Sequence, residues 1–198
     1  MFCWITYFIS HLLKAPNIVL SAAHCVPQTL SRVQAHVNPF DLGNPNDNSV
    51  LSSINDIRTH PGFTFLNQND VMLLRLVDSV PSSVASPVRL NADSNEPEDG
   101  DSLTVVGWGL TIRDVLLTSP VLQQTSVDYI TNGACYLGLV SSDMMCCVEA
   151  GQGTCKGDSG GPLLIPGDGE DVQVGITSWG LGCAVQELPG KALVANLH

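Results

Sequence analysis

The residues best suited to chemistry in this chain lie at 155–162, Cys-Lys-Gly-Asp-Ser-Gly-Gly-Pro. Ser159 is enclosed by glycines, so backbone N–H groups around it can point at one spot and hold an oxyanion. A serine hydroxyl is a weak nucleophile until a neighbouring base takes its proton. That base is normally an imidazole oriented by a carboxylate. Both groups stand upstream in their own local settings: His24 in Ser-Ala-Ala-His-Cys (21–25) and Asp70 in Asn-Asp-Val-Met-Leu-Leu-Arg-Leu (69–76). Each segment also has a plain explanation. Gly-Asp-Ser-Gly-Gly could be a turn, His24 a buried and satisfied imidazole, and Asp70 the terminator of an apolar strand. Taken jointly, the three segments favour acyl transfer through a hydroxyl, an imidazole and a carboxylate.

These side chains need a scaffold, and the sequence points to β-structure. Short apolar runs bounded by Gly, Pro, Asn and Ser recur at Asn17–Leu20, Val71–Val77, Leu103–Trp108, Leu163–Ile165 and Val172–Trp179, while helix-period patterns are scarce. Such spacing predicts an all-β barrel or sandwich. With 198 residues the chain can bury a sizeable core, as one large domain or two small halves. The acidic stretch 91–102 has no apolar periodicity and is the expected linker. It divides a half at 1–90, with His24 and Asp70, from a half at 103–198, with Ser159. A net charge of −11 disfavours nucleic acid or an anionic membrane surface as partner. No internal repeat and no run long enough to span a bilayer is evident.

Other chemistries fit less well. Residues 157–161 satisfy the Gly-x-Ser-x-Gly nucleophile elbow, which calls for a following helix, then an acid and a histidine. Gly160-Gly161-Pro162 is hostile to such a helix, and the one later histidine is His198. Seven cysteines without a Cys-x-x-Cys pair argue for disulfides over zinc or redox work by Cys146, Cys147 and Cys155. Asp41–Asp56 is rich in oxygen ligands but lacks the spacing of a recognised calcium loop, so a solvated loop is expected. His11, His36 and His60 fall outside any catalytic pattern.

The order His24, Asp70, Ser159, each inside its own motif, resembles the chymotrypsin/trypsin family of serine endopeptidases over residues 15–190. The resemblance implies two packed antiparallel six-stranded barrels, the first incomplete here, with the active site in the cleft between them. It implies His24 as general base and then general acid, Asp70 as its orienting partner, and the N–H groups of Gly157 and Ser159 as the oxyanion hole. Peptide or protein substrates and protein inhibitors are the implied partners of a monomer, with no cofactor, metal, nucleic acid or membrane. A catalytically silent relative acting as a binding or regulatory module is the alternative reading; the intact triad argues against it.

The same resemblance assigns the pocket and the bridges. Gly153 would form the floor of the primary pocket, where an aspartate would select basic side chains. Gly180 and Gly190 would be its walls, with Thr154 lining it and Lys156 at its rim. An open, uncharged slot suits large apolar or aromatic residues, with Glu187 near enough in sequence to add charge. Ser178-Trp179-Gly180 resembles the segment that pairs with an extended substrate by strand addition; packing in the core is the plainer role for Trp179. The implied disulfides are Cys155–Cys183, Cys135–Cys146 and Cys3–Cys25, the last across a longer separation than the family pattern. The first would contribute about 3–4 kcal/mol in the chain-entropy model. Cys147 is left as a buried thiol or as another partner for Cys135. Where many relatives carry a further bridge, this chain has Leu103 and Ile165, expected as an apolar contact. Disulfides imply an oxidising compartment, hence secretion.

The ends depart from the family pattern. Its members present a processed apolar N-terminus whose amine pairs with the aspartate before the serine, here Asp158. The opening Met1–Lys14 does not resemble that segment, and the sequence stops before the family's terminal helix. Residues 2–13 are apolar but lack a basic flank, and small-residue cleavage at 21–23 would fall directly before His24. An incomplete or misjoined start is the expectation. It implies a zymogen-like site, with correct triad residues and a poorly ordered oxyanion hole.

Overall fold

The computed structural model describes residues 13–27, 29, 33–44, 48–64, 66, 68–110, 118–135, 140–149, 154–180 and 190–197. Among them no α-helix occurs, and the helical content is one 3-10 turn at Ala23–Cys25. Twelve strands make up the rest. The first five are β1 (Leu13–Ala15), β2 (Ile18–Ser21), β3 (Gln34–Val37), β4 (Val50–Thr59) and β5 (Met72–Leu76). They form one antiparallel sheet in the order β1-β2-β5-β4-β3, an open half-barrel.

The second unit uses β6 (Arg89–Leu90), β7 (Ser102–Gly107), β8 (Gln123–Ile130), β9 (Met144–Glu149), β10 (Pro162–Ile165), β11 (Val172–Gly180) and β12 (Gly190–Asn196). Strands β7, β8, β9, β12, β11 and β10 pair in sequence around a ring, and the β10–β11 pairing closes it. The result is a six-stranded antiparallel barrel, with β6 added in parallel on β11. The expectation of an all-β fold with one complete and one incomplete barrel holds.

Burial explains why these residues make these strands. In β5, Met72, Leu74 and Leu76 point inward and are buried, while Leu73 and Arg75 face solvent, the alternation of a half-covered sheet. In β11, Gln173–Ser178 are buried without alternation, because one face lines the closed barrel and the other meets the half-barrel. Ile176 and Ala195 pack in the same apolar cluster as Val19, Met72 and Leu74, so the core of the first unit continues into the second. The short β-bridge Asp41–Val121, flanked by Leu42 N–H to Pro120 O (2.8 Å) and Leu122 N–H to Phe40 O (2.9 Å), ties the units together elsewhere. Leu103 and Ile165 do meet in one apolar cluster, the contact expected where relatives carry a bridge.

Candidate active site

His24 lies on the 3-10 turn that follows β2, held because β2 pairs with β5 from Ile18 to Ser21. Asp70 lies two residues before β5. That pairing alone brings the two residues together. One carboxylate oxygen of Asp70 accepts the His24 backbone N–H at 2.8 Å, and the other accepts Nδ1–H at 2.6 Å. Two donors from one residue fix the ring's position and its tautomer, leaving Nε2 as the unprotonated nitrogen. Asp70 is 0% exposed, so no water competes for these bonds. A third donor arrives from the other barrel: the Ser178 hydroxyl gives a short hydrogen bond to the same oxygen that holds Nδ1. Sequence reasoning placed Ser178 at the substrate edge and missed this role; a lone serine in a buried run carries no signal for it.

Ser159 approaches from the second unit on the turn between Cys155 and β10. The Cys25 sulfur touches both sides, 3.4 Å from His24 Nε2 and 3.9 Å from the Ser159 carbonyl oxygen. Gly160, at φ +85°, is pressed against Ser21 so closely that a Cβ would collide with the serine hydroxyl. The nucleophile loop is thus seated directly on the strand that delivers His24. Within the loop, Asp158 N–H donates to Cys155 O, Gly160 N–H to Thr177 O, and Gly161 N–H to Asp158 O. Among the described residues, the N–H groups of Gly157 and Ser159 donate to no protein acceptor, which suits donors kept for an oxyanion.

Asp158 points the other way, into a cradle walled by Gly107 and Gly109, where a Cβ at either position would collide with its carboxylate. It accepts N–H from Gly109 and from Cys155, both at 2.9 Å. Residue 158 as a whole keeps some solvent contact, but its carboxyl group is enclosed. Desolvation outweighs the two N–H bonds and raises its pKa above the ordinary carboxylate value.

Residues 178–180, expected at a substrate edge, end β11. β10 pairs with β11 only as far as Ile176, whereas β12 continues alongside to Gly180. Residues 178–180 therefore have a strand on one side and none on the other among the described residues. Trp179 packs beside the cluster of Cys135, Met144 and Cys146. Thr154, expected to line the pocket, is half-buried, and Lys156, expected at its rim, is exposed. Gly190 opens β12. Gly153 and Glu187 lie outside the described residues.

Cys135 and Cys146 form a disulfide with Cα atoms 6.1 Å apart. Cys25 and Cys155 are also disulfide-bonded. The partners expected for them, Cys3 and Cys183, lie outside the described residues. Cys147 is buried and outside any disulfide, on the opposite face of β9 from Cys146. The Asp41–Asp56 stretch is not one loop: from Val50 onward it is β4, and the Asp56 carboxylate faces the guanidinium groups of Arg58 (2.9 Å) and Arg75 (3.8 Å).

Two β-units, one a closed barrel, with an aspartate–histidine pair on the first and the backbone of a glycine-flanked serine on the second joined through the Cys25 sulfur, fit a serine hydrolase. The family model described as Trypsin matches residues 10–195. The chain is 33% identical to Trypsin II-P29 of Gallus gallus over 179 residues, covering 87% of this chain and 68% of that protein. It is 33% identical to a Trypsin of Squalus acanthias (93% and 79% covered) and 31% identical to Trypsin alpha of Drosophila melanogaster (88% and 68%). The chain belongs to the trypsin family of serine proteases.

Proposed function

We propose that this chain is a secreted serine endopeptidase that cleaves peptide bonds through an acyl-enzyme on Ser159, acting as a monomer on peptide or protein substrates. The observation that carries the reading is the shared contact at Cys25: the imidazole already oriented by Asp70 and the Ser159 backbone touch the same sulfur. His24 Nε2 takes the Ser159 proton as Oγ attacks the substrate carbonyl, then returns it to the leaving amine. Asp70 and Ser178 hold the ring and stabilise the imidazolium. The N–H groups of Gly157 and Ser159 receive the developing oxyanion; losing one such donor typically costs about 2.7–4 kcal/mol. Hydrolysis of an aromatic peptide ester that disappears in Ser159→Ala would support this. Equal turnover by the variant would defeat it and leave the silent, binding-module reading.

The finer reading concerns specificity and readiness. An open slot with Gly153 at its floor and Gly180 and Gly190 at its walls suits apolar or aromatic side chains before the scissile bond. Asp158 is the residue on which readiness depends. Among the described residues its carboxylate has backbone donors and no cation, a weak pin for the loop that carries Gly157 and Ser159. An ammonium partner, the role that family resemblance gives to a processed amino terminus, would order that loop, and the site is zymogen-like without it. Efficient labelling of Ser159 by a serine-directed phosphonate, with no added N-terminal segment, would refute this.

A further inference from the structure

The residue ahead of Asp70 governs where its carboxylate points. Asn69 sits in the left-handed region at φ +51°, which asparagine tolerates better than most residues. Its carbonyl accepts Val71 N–H at 2.8 Å, so Asp70 occupies the centre of a three-residue turn. Its side-chain amide donates to Gly62 O at 3.1 Å. The remaining group, the Asn69 N–H, crosses to the other barrel and gives a short hydrogen bond to the carboxylate of Asp143.

Asp143 comes from the turn that leads into β9, and that turn is itself tied down. Met144 N–H donates to Ser141 O at 3.0 Å, and Asn132 Nδ2 donates to Ser141 O (3.3 Å) and Met144 O (2.9 Å). Asn196 N–H, at the end of β12, donates to the Asp143 carbonyl at 2.8 Å. A carboxylate mounted on the closed barrel therefore grips the backbone one residue before the orienting aspartate of the half-barrel.

We propose that Asp143 is a positioning residue for Asp70: by accepting the Asn69 N–H it locks the turn that aims the Asp70 carboxylate at His24. This rests on His24, Asp70 and Ser159 being a catalytic triad. The grip matters because Asp70 is fully buried, so a donor lost through backbone rotation is not replaced by water. Burial would raise the Asp143 carboxyl, but the nearby Ser141 hydroxyl, the N–H groups of Asn69 and of Asp143 itself, and charge on His60 outweigh it and hold it below the ordinary carboxylate value. Asp143 is thus ionised at neutral pH, and its bond to Asn69 is charge-assisted.

The test compares the full chain with Asp143→Ala and Asp143→Asn, with thermal melting as the check on folding. The first readout is the low-field proton NMR resonance of His24 Nδ1–H, which needs no turnover. The second is kcat and KM on an aromatic peptide ester. In Asp143→Ala the resonance should be lost or move upfield and kcat should fall about ten- to a hundredfold, the size of one charge-assisted hydrogen bond, with KM little changed. Asp143→Asn keeps a side-chain oxygen to accept the N–H, though not its charge, and should keep the resonance and recover most of the lost kcat. A folded Asp143→Ala protein with the native resonance and kcat overturns the proposal, as does an Asn variant as impaired as the Ala variant. If Ala does not fold, the Asn variant decides: the resonance kept supports the proposal, and the resonance lost in a native fold overturns it. Absence of Ser159-dependent hydrolysis, which a zymogen-like site allows, leaves the Asp143 proposal decided by the resonance alone, since that readout needs no turnover.

Discussion

Two buried aspartates within the same site have very different surroundings. Asp70 accepts three hydrogen bonds, two from His24 and one from Ser178, and one of its donors can carry a full charge. Asp158 accepts two, both from backbone N–H groups, with glycines pressed against it on the far side. A buried carboxylate is tolerable when its oxygens are satisfied and its charge is answered. Asp70 meets both conditions from groups that the fold itself delivers. Asp158 meets only the first among the described residues. The orienting pair is answered by groups from both units, whereas on the proposed zymogen-like reading the half that shapes the oxyanion hole awaits a further cation.

The largest effect should come from removing the complete arrangement. Asp70→Asn keeps the shape but presents an amide N–H to one of its donors, which disfavours the tautomer with Nε2 free. kcat should fall on the order of 10⁴-fold, the magnitude typical of the orienting carboxylate in such triads. Near-native activity at neutral pH would show that Asp70 does not orient His24. Ser178→Ala is milder, because both His24 donors remain. Loss of one hydrogen bond to a buried carboxylate should lower kcat about ten- to a hundredfold. Unchanged kcat would reduce Ser178 to a bystander.

The cradle of Asp158 can be disturbed without touching the triad. Gly109→Ala places a methyl group where the carboxylate sits, and the nearest atoms belong to a short side chain fixed by Cys155 and Gly109 themselves. Overpacking of this kind costs about 1–3 kcal/mol of stability. Phosphonate labelling of Ser159 should slow as well, while the His24 Nδ1 resonance stays native. Labelling at the native rate would separate the cradle from the nucleophile loop and break the contrast between the two aspartates.

Much of this was legible because the triad members sit in compact local motifs and because the buried strands have dense apolar runs. Leu163–Ile165 falls inside β10, Val172–Trp179 inside β11, and Val71–Val77 brackets β5. Strands with thinner patterns escaped. β4, Val-Leu-Ser-Ser-Ile-Asn-Asp-Ile-Arg-Thr, reads as polar loop in part because much of it faces solvent and Asp56 is answered by arginines across the surface. β8 begins Gln-Gln-Thr-Ser and commits only Val127 deeply to the barrel interior. Contacts between the units were the least legible. Ser178 on Asp70 and Asp143 on Asn69 join residues far apart in sequence, and neither serine nor aspartate at those positions departs from an ordinary composition. They exist only because the two sheets meet.

The smallest expected effect is a slope, and it tests whether Asp158 truly lacks a cation. Because burial raises its pKa above 3.8, the folded protein binds a proton at Asp158 more readily than the unfolded chain does. Between the raised value and 3.8 the folded state holds more protons, so this group makes stability rise as pH falls through that window. Above the window its burial penalty is present in full; below 3.8 nothing further changes. Asp143 has the opposite sign, since its lowered pKa supports the fold at higher pH and that support fades below its ordinary value. Comparing the native chain with Asp158→Asn at each pH cancels Asp143 and every other titrating group. Thermal melts from pH 7 down to pH 4 should show the native chain gaining on the variant. A flat or reversed difference would mean that a positive charge from outside the described residues already answers Asp158. The oxyanion hole would then be as complete as the orienting pair, and the zymogen-like reading would fall with the contrast that supports it.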